Sequence, residues 1–153
     1  MSNPSHTIGA GPAPQAARGL LAAAELPSSD LTDEQLTEFF FCGSAAAPSA
    51  LVGLEIYGTA ALLRSLVVNP NLRSTGLGSA LVRRAEQQAL TRGVRALYLL
   101  TTTAEPFFAR LGYKRIDRRE APPSIQSTGE FADLCPTSSA FMIKQLYIKE
   151  IEP

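Results

Sequence analysis

The stretch "LVVNPNLRSTGLGSALV", Leu66–Val82, joins the end of one strand pattern to the start of a helix pattern. Asn69 and Pro70 stop the strand. From Gly76 to Arg92, Leu77, Leu81, Ala85 and Ala89 recur every four residues, with Arg83, Arg84, Glu86 and Gln87 elsewhere on the wheel. Gly93 is a C-terminal stop. Gly76 and Gly78 let a backbone approach a ligand without a Cβ in the way. A helix beginning there offers unpaired N–H groups and the positive end of its dipole. Arg73 adds a charge, and Ser74, Thr75 and Ser79 add hydroxyl donors. The combination predicts an anion cradle. A Walker loop is excluded because no lysine follows the second glycine, and a dinucleotide fingerprint because its third glycine is missing. Taken alone, R-x-x-G-x-G also fits a helix that merely begins after a Gly-rich turn.

Upstream, "LVGLEIY" and "ALLRSLVV" read as two strands joined through "GTA", with Gly58 at the turn. Further back, a short strand near Thr7 and Ile8 precedes a helix over "AARGLLAAAELP", ending at Pro27. A capped helix start follows in "SSDLTDEQLTE", then a strand in "EFFFCG" and a turn in "SAAAPSA". Downstream come a buried strand "VRALYLLT", a short helix "TTAEPFFARLG", and strands "YKRID" and "SAFMIKQL". Between those last two, "APPSIQSTGEFADLCP" reads as a loop holding a short helix. The order is strand, two helices, three strands, helix, strand, helix, two strands. That is a mixed α/β layer fold, in a single domain over residues 1–153, with 1–6 and 148–153 as loose tails.

Composition narrows function by exclusion. Fourteen basic residues balance fourteen acidic ones in a chain of 153, which argues against a non-specific nucleic-acid or membrane-surface binder. Cys42 and Cys135 have neither metal nor redox spacing, and read as packed thiols in a reducing cytoplasm. His6 is the one histidine, at the chain's start, so histidine catalysis and a metal site are not expected. No signal peptide or membrane span is evident.

"LVVNPNLRSTGLG" followed by "PFFARLGY" resembles the two signatures of the GNAT superfamily of N-acetyltransferases, over roughly Leu51–Leu146. The resemblance implies a mostly antiparallel twisted sheet, splayed between its fourth and fifth strands and flanked by about four helices. It also implies acetyl-CoA as co-substrate, with its pyrophosphate held by Arg73, Ser74, Thr75, Gly76, Leu77, Gly78 and Ser79. The pantetheine arm would lie along Leu66, Val67 and Val68, with Thr102 and Phe108 on the cofactor and the acetyl thioester between "SLVV" and "YLLT". A backbone N–H near Val67 would hold the oxyanion. A helix cap accounts equally for the Thr101–Thr103 run.

The chain departs from the family at two places. The usual base, a Glu, is replaced by Leu62, and the usual acid, a Tyr, by Phe108. A tight hairpin would place Glu55 opposite Leu62 and Arg64 across from Gly53, where the glycine leaves room. Glu55 is then the candidate base and Arg64 the candidate grip on an anionic group of the acceptor, unless the two form only a salt bridge on the sheet face. Tyr57 is a candidate acid, and Tyr113 another that reads more as core.

"GLEIYGTAALLRSLVV", "LLTTTAEPFFARLGY" and "APPSIQSTGEFADLCPTSS" are similar to the bacterial arsenic-resistance branch of that superfamily, close to phosphinothricin and arsinothricin acetyltransferases. That implies a small amino-acid-like amine as acceptor, with the "SIQSTGEFADLCP" insert as a lid. Homodimers are common for the fold. A non-catalytic acyl-CoA sensor and a peptide or protein N-acetyltransferase are the alternatives.

Overall fold

The hairpin forms as β3 (Ala47–Tyr57) and β4 (Ala60–Val68), turning at Gly58, whose φ of +66° suits a glycine. The computed structural model describes residues 7–73, 75–134 and 139–146. The remaining strands are β1 (Ile8–Ala10), β2 (Phe39–Ser44), β5 (Ala96–Thr101), β6 (Lys114–Arg115) and β7 (Ala140–Gln145). Together they make a seven-stranded sheet in the order β1-β2-β3-β4-β5-β7-β6. β1–β2, β2–β3, β5–β7 and β6–β7 are antiparallel, while β4–β5 is parallel. A parallel neighbour requires a long crossover, and the segment holding α3 (Leu77–Thr91) supplies it. The β4–β5 register runs from Ala60↔Ala96 to Leu62↔Tyr98. β4 then continues to Val68 and β5 to Thr101, with no further pairing between them among the described residues.

The chain forms two compact units: residues up to 55 with 64–85, and residues 56–63 with those from 86 onward. In the first, Pro14 starts α1 (Pro14–Ala23), and Ala17 and Leu21 turn inward. Leu21, Leu31, Leu36, Phe39, Phe41, Leu51 and Val67 share one buried cluster. The helix stops short of Pro27 because Glu25 enters the left-handed region at φ +59°. Leu26 N then donates to Leu21 O at 3.0 Å and Glu25 N to Ala22 O at 3.0 Å, a Schellman ending. α2 (Asp33–Leu36) has a full capping box between Thr32 and Gln35.

The segment read as a turn, Ser44–Ala50, is largely strand, since β3 already begins at Ala47. Pro48 lies within this strand. It sits opposite Gly43, just where the register shifts, and Gly43 takes φ +92°; an irregular ladder tolerates proline.

In the second unit Leu62, Tyr98, Ile125, Phe141 and Ile143 are buried together. Tyr98 stacks on Phe141 at 5.6 Å, and Phe131 meets Phe141 edge-on at 5.3 Å. α4 (Glu105–Arg110) and α5 (Pro123–Gln126) form here. The expected strand Tyr113–Asp117 shrinks to the two residues of β6, and a π-helical turn over Glu130–Leu134 joins α5 in the insert. Cys135 and His6 lie outside the described residues, whereas Cys42 is buried, and burial pushes its thiol up.

Candidate active site

β4 leaves the regular extended conformation at Ser65, where φ is +63°. A non-glycine residue there is uncommon, and such strain clusters at functional sites. Beyond it Val67 is buried in the first cluster, with Leu66 and Val68 half-buried on either side. Asn69 N donates to Ser49 O at 2.8 Å, and a single 3-10 turn, Pro70–Leu72, carries the chain to the loop.

That loop suits an anion. Thr75 Oγ1 donates to Leu72 O at 2.6 Å and closes the turn. Gly76 takes φ +84°, and a Cβ built there would have nothing within 4 Å, so its surroundings are open. The first helical bond runs from Ala80 N to Gly76 O at 3.0 Å. The N–H groups of Leu77, Gly78 and Ser79 therefore precede the ladder of α3. Leu77 contributes backbone alone, since its side chain is buried. Arg73 is exposed, with Nε 3.4 Å from Val68 O. A row of N–H groups, an open glycine and a guanidinium fit a diphosphate. Ser74, also expected to contribute, lies outside the described residues.

Glu55 and Arg64 do meet: Nη1 of Arg64 donates to Glu55 Oε2 at 2.8 Å. The pair is buried, at 7% and 3% exposure, so it is not the exposed sheet-face salt bridge weighed from the sequence. Nor does Gly53 leave room for Arg64. The Phe39 ring fills that space, with Cζ 2.3 Å from where a Cβ would stand, because Phe39 pairs with Gly53 across β2–β3.

The arginine turns to a residue the sequence reading passed over. Asp30, between α1 and α2, accepts from Nη1 at 2.5 Å and from Nη2 at 2.9 Å. Nη2 also donates to Pro27 O at 3.1 Å, and Nε to Ser65 Oγ at 3.0 Å. Counted with Glu55, all five N–H donors of the guanidinium have protein acceptors. A grip on an acceptor's oxyanion would need donors that Arg64 already spends. Asp30 looked like one of several helix caps, and no local signal marks it as a partner 34 residues away.

Tyr57 is half-buried and packs against the second unit's cluster. Phe108 is buried, its ring edge-on to Phe107 and to Tyr113 at 5.0 and 5.6 Å. Thr102 is exposed, and Thr101 Oγ1 accepts from Ala104 N at 2.9 Å, bracing the turn into α4.

Tyr113 is core, as its alternative reading held. Its hydroxyl donates to Glu86 Oε2 at 2.8 Å, and Lys144 Nζ donates to both Glu86 oxygens at 3.1 Å and to Leu111 O at 2.8 Å. Burial, then the Glu86 carboxylate, push that hydroxyl far above the ordinary tyrosine range. The hydroxyl is thus committed to Glu86 within the core.

The sign of the pH effect follows. Around pH 10 an unfolded-state tyrosine ionises while Tyr113 in the fold keeps its proton, so stability falls as pH rises, by about 1.4 kcal/mol in all between about pH 9 and pH 11. Urea melts at those two pH values are expected to show that loss in the wild type. Tyr113→Phe should lower stability by about 1 kcal/mol at pH 8 and reduce the alkaline slope by one proton.

A family model described as "Acetyltransferase (GNAT) family" matches residues 22–113. The chain belongs to the GNAT acetyltransferase family. An uncharacterised N-acetyltransferase of Chlorobaculum tepidum is 31% identical over 93 residues, covering 60% of this chain and 59% of the relative. N-acetylglutamate synthase from Neisseria gonorrhoeae, solved with coenzyme A and L-arginine, superposes with a TM-score of 0.76 at 16% identity, over 93% of this chain and 33% of that one. A Mycobacterium tuberculosis protein solved in complex with CoA gives 0.72 at 18% identity, over 92% and 99%. The chain thus spans under two thirds of the first two proteins' length, and the solved structures share its fold.

Proposed function

We propose that this chain is an acetyl-CoA-dependent N-acetyltransferase acting on the amine of a small, amino-acid-like molecule. The observation that carries the reading is the open loop at the head of α3, reached from β4 just past its left-handed residue at Ser65. In this reading Arg73 and the N–H groups of Gly76–Ser79 hold the CoA pyrophosphate, and the pantetheine arm pairs along Leu66–Val68 as an added strand. Holding both reactants supplies much of the rate. Glu55 takes a proton from the attacking amine, a backbone N–H near Val67 steadies the oxyanion, the new C–N bond forms and the thioester C–S bond breaks. Tyr57 stays the candidate to return a proton to the thiolate, since Phe108 has no hydroxyl and Tyr113 spends its own on Glu86.

The fold shared with N-acetylglutamate synthase, whose name gives an acetylated amino acid as its product, supports the acceptor class, and the resemblance to the arsenic-resistance branch puts phosphinothricin among the candidates. The test is thiol release from acetyl-CoA across amino acids, their carboxamides, simple amines, phosphinothricin and a short peptide. At least one small amine should give turnover. Binding of acetyl-CoA with no turnover on any amine points to a sensor instead, and turnover of the peptide alone to a protein acetyltransferase. Glu55→Gln is expected to lower kcat/KM by about 10²- to 10⁴-fold, the usual worth of a positioned base, with acetyl-CoA affinity unchanged by calorimetry. Unchanged turnover removes Glu55 as the base.

A further inference from the structure

Arg64 is the cation of a buried trio with Glu55 and Asp30, and five acceptors around it come from three directions. Glu55 lies on β3 and Ser65 next to it on β4, while Pro27 and Asp30 come from the segment between α1 and α2. Asp30 holds it in the two-pronged manner in which a guanidinium takes a free carboxylate, one oxygen on each terminal nitrogen. Exposure orders the three charges: the Arg64 side chain is 0% exposed, Glu55 7% and Asp30 21%. Water reaches the carboxylates, Asp30 most of all, and does not reach the guanidinium. One guanidinium and two carboxylates leave the trio with a formal charge of −1, and the two further ligands, a carbonyl and a hydroxyl oxygen, add no positive charge.

We propose that Asp30 fills Arg64's oxyanion position from within the chain and is a specificity-determining residue: Arg64 reads no anion on the acceptor, and the trio selects the acceptor's cationic ammonium. An incoming carboxylate would have to evict a tethered one and would meet a net negative cluster. An ammonium meets complementary charge beside Glu55. The half concerning the acceptor rests on the acetyl-transfer reading above. The half concerning Arg64 does not.

The experiment is thermal melting in sodium formate or sodium methylphosphinate, against sodium chloride of equal ionic strength. Wild-type protein should melt at the same temperature in all three. Asp30→Ala should melt lower in chloride and recover several degrees, saturably, in either oxyanion, as a ligand bound to the folded state does. Asp30→Ala combined with Arg64→Met should lose that response. Oxyanion-specific stabilisation of the wild type overturns the proposal, and so does an Asp30→Ala protein that ignores formate. Should Asp30→Ala not fold in chloride, refolding it in formate gives the same two answers, recovery for the proposal and none against it.

The acceptor half is read from kcat/KM. An amino acid and its carboxamide should be turned over within about threefold of each other, whereas a site built around the acid group would reject the amide by about 10⁴. Strong preference for the acid overturns the specificity claim. Turnover of neither is a failure of the acetyl-transfer reading, and the melting result still decides where Asp30 sits.

Discussion

Gly76→Val is expected to weaken acetyl-CoA binding by about 100-fold, with the protein still folded. Gly76 takes φ +84°, in surroundings where an added Cβ would touch no protein atom within 4 Å. A β-branched residue is a steric outlier in that conformation, and the backbone would rotate away at a cost of about 1–2 kcal/mol. Rotation there re-aims the N–H groups that open α3, whose first internal bond is Ala80 N to Gly76 O at 3.0 Å. Each charge-assisted hydrogen bond to phosphate is worth about 1.5–3 kcal/mol, and about 1.4 kcal/mol is tenfold in Kd. Losing one or two such bonds therefore gives about two powers of ten. Calorimetric titration with acetyl-CoA measures it, and a circular dichroism melt checks the fold. Affinity within threefold of wild type, as a rough bound on one weak bond, would show that the loop does not hold the cofactor.

Arg64→Met is expected to destabilise the fold by about 3–5 kcal/mol, because removing one partner of a buried ion pair strands the other. Glu55, at 7% exposure, bears most of that loss, and Asp30, at 21%, recovers part of its hydration. For a domain of this size the change corresponds to a Tm about 10 °C lower. Replacing Glu55 by Gln in the same protein should restore some of it, since no charge is then stranded on β3. A Tm within about 2 °C of wild type, the mark of an exposed and near-neutral pair, would mean the cluster is not the buried network described.

The elements that position the loop were legible because their signals are local. Gly58 between two apolar runs set the hairpin. Asn69–Pro70 and the four-residue spacing of Leu77, Leu81, Ala85 and Ala89 set the strand end and α3. Glu55 and Arg64 were brought together correctly for the same reason, being nine residues apart on one hairpin.

What stayed hidden was long-range. Nothing near Asp30 says that its carboxylate crosses to β4, so Arg64 looked available to a substrate. Gly53 looked like space, yet its cross-strand neighbour Phe39 fills that space. Glu86 looked like a solvent-facing wheel position, and its two partners, Tyr113 and Lys144, stand 27 and 58 residues away. β6 is short for a related reason. Tyr113 turns to packing and to closing α4, with its N donating to Phe108 O at 3.1 Å, and Ile116 keeps one bond to β7, from its N to Phe141 O at 2.9 Å, beyond the two paired residues of β6.

The central claim is that the loop opening α3 holds the phosphates of acetyl-CoA. The most direct measurement is a titration of ¹⁵N-labelled protein with acetyl-CoA, following backbone amides. Gly76, Leu77, Gly78 and Ser79 are predicted to move downfield and saturate together, along with the Nε–H of Arg73, and Gly76→Val should abolish the response. Saturable binding that leaves those five signals in place would contradict the account.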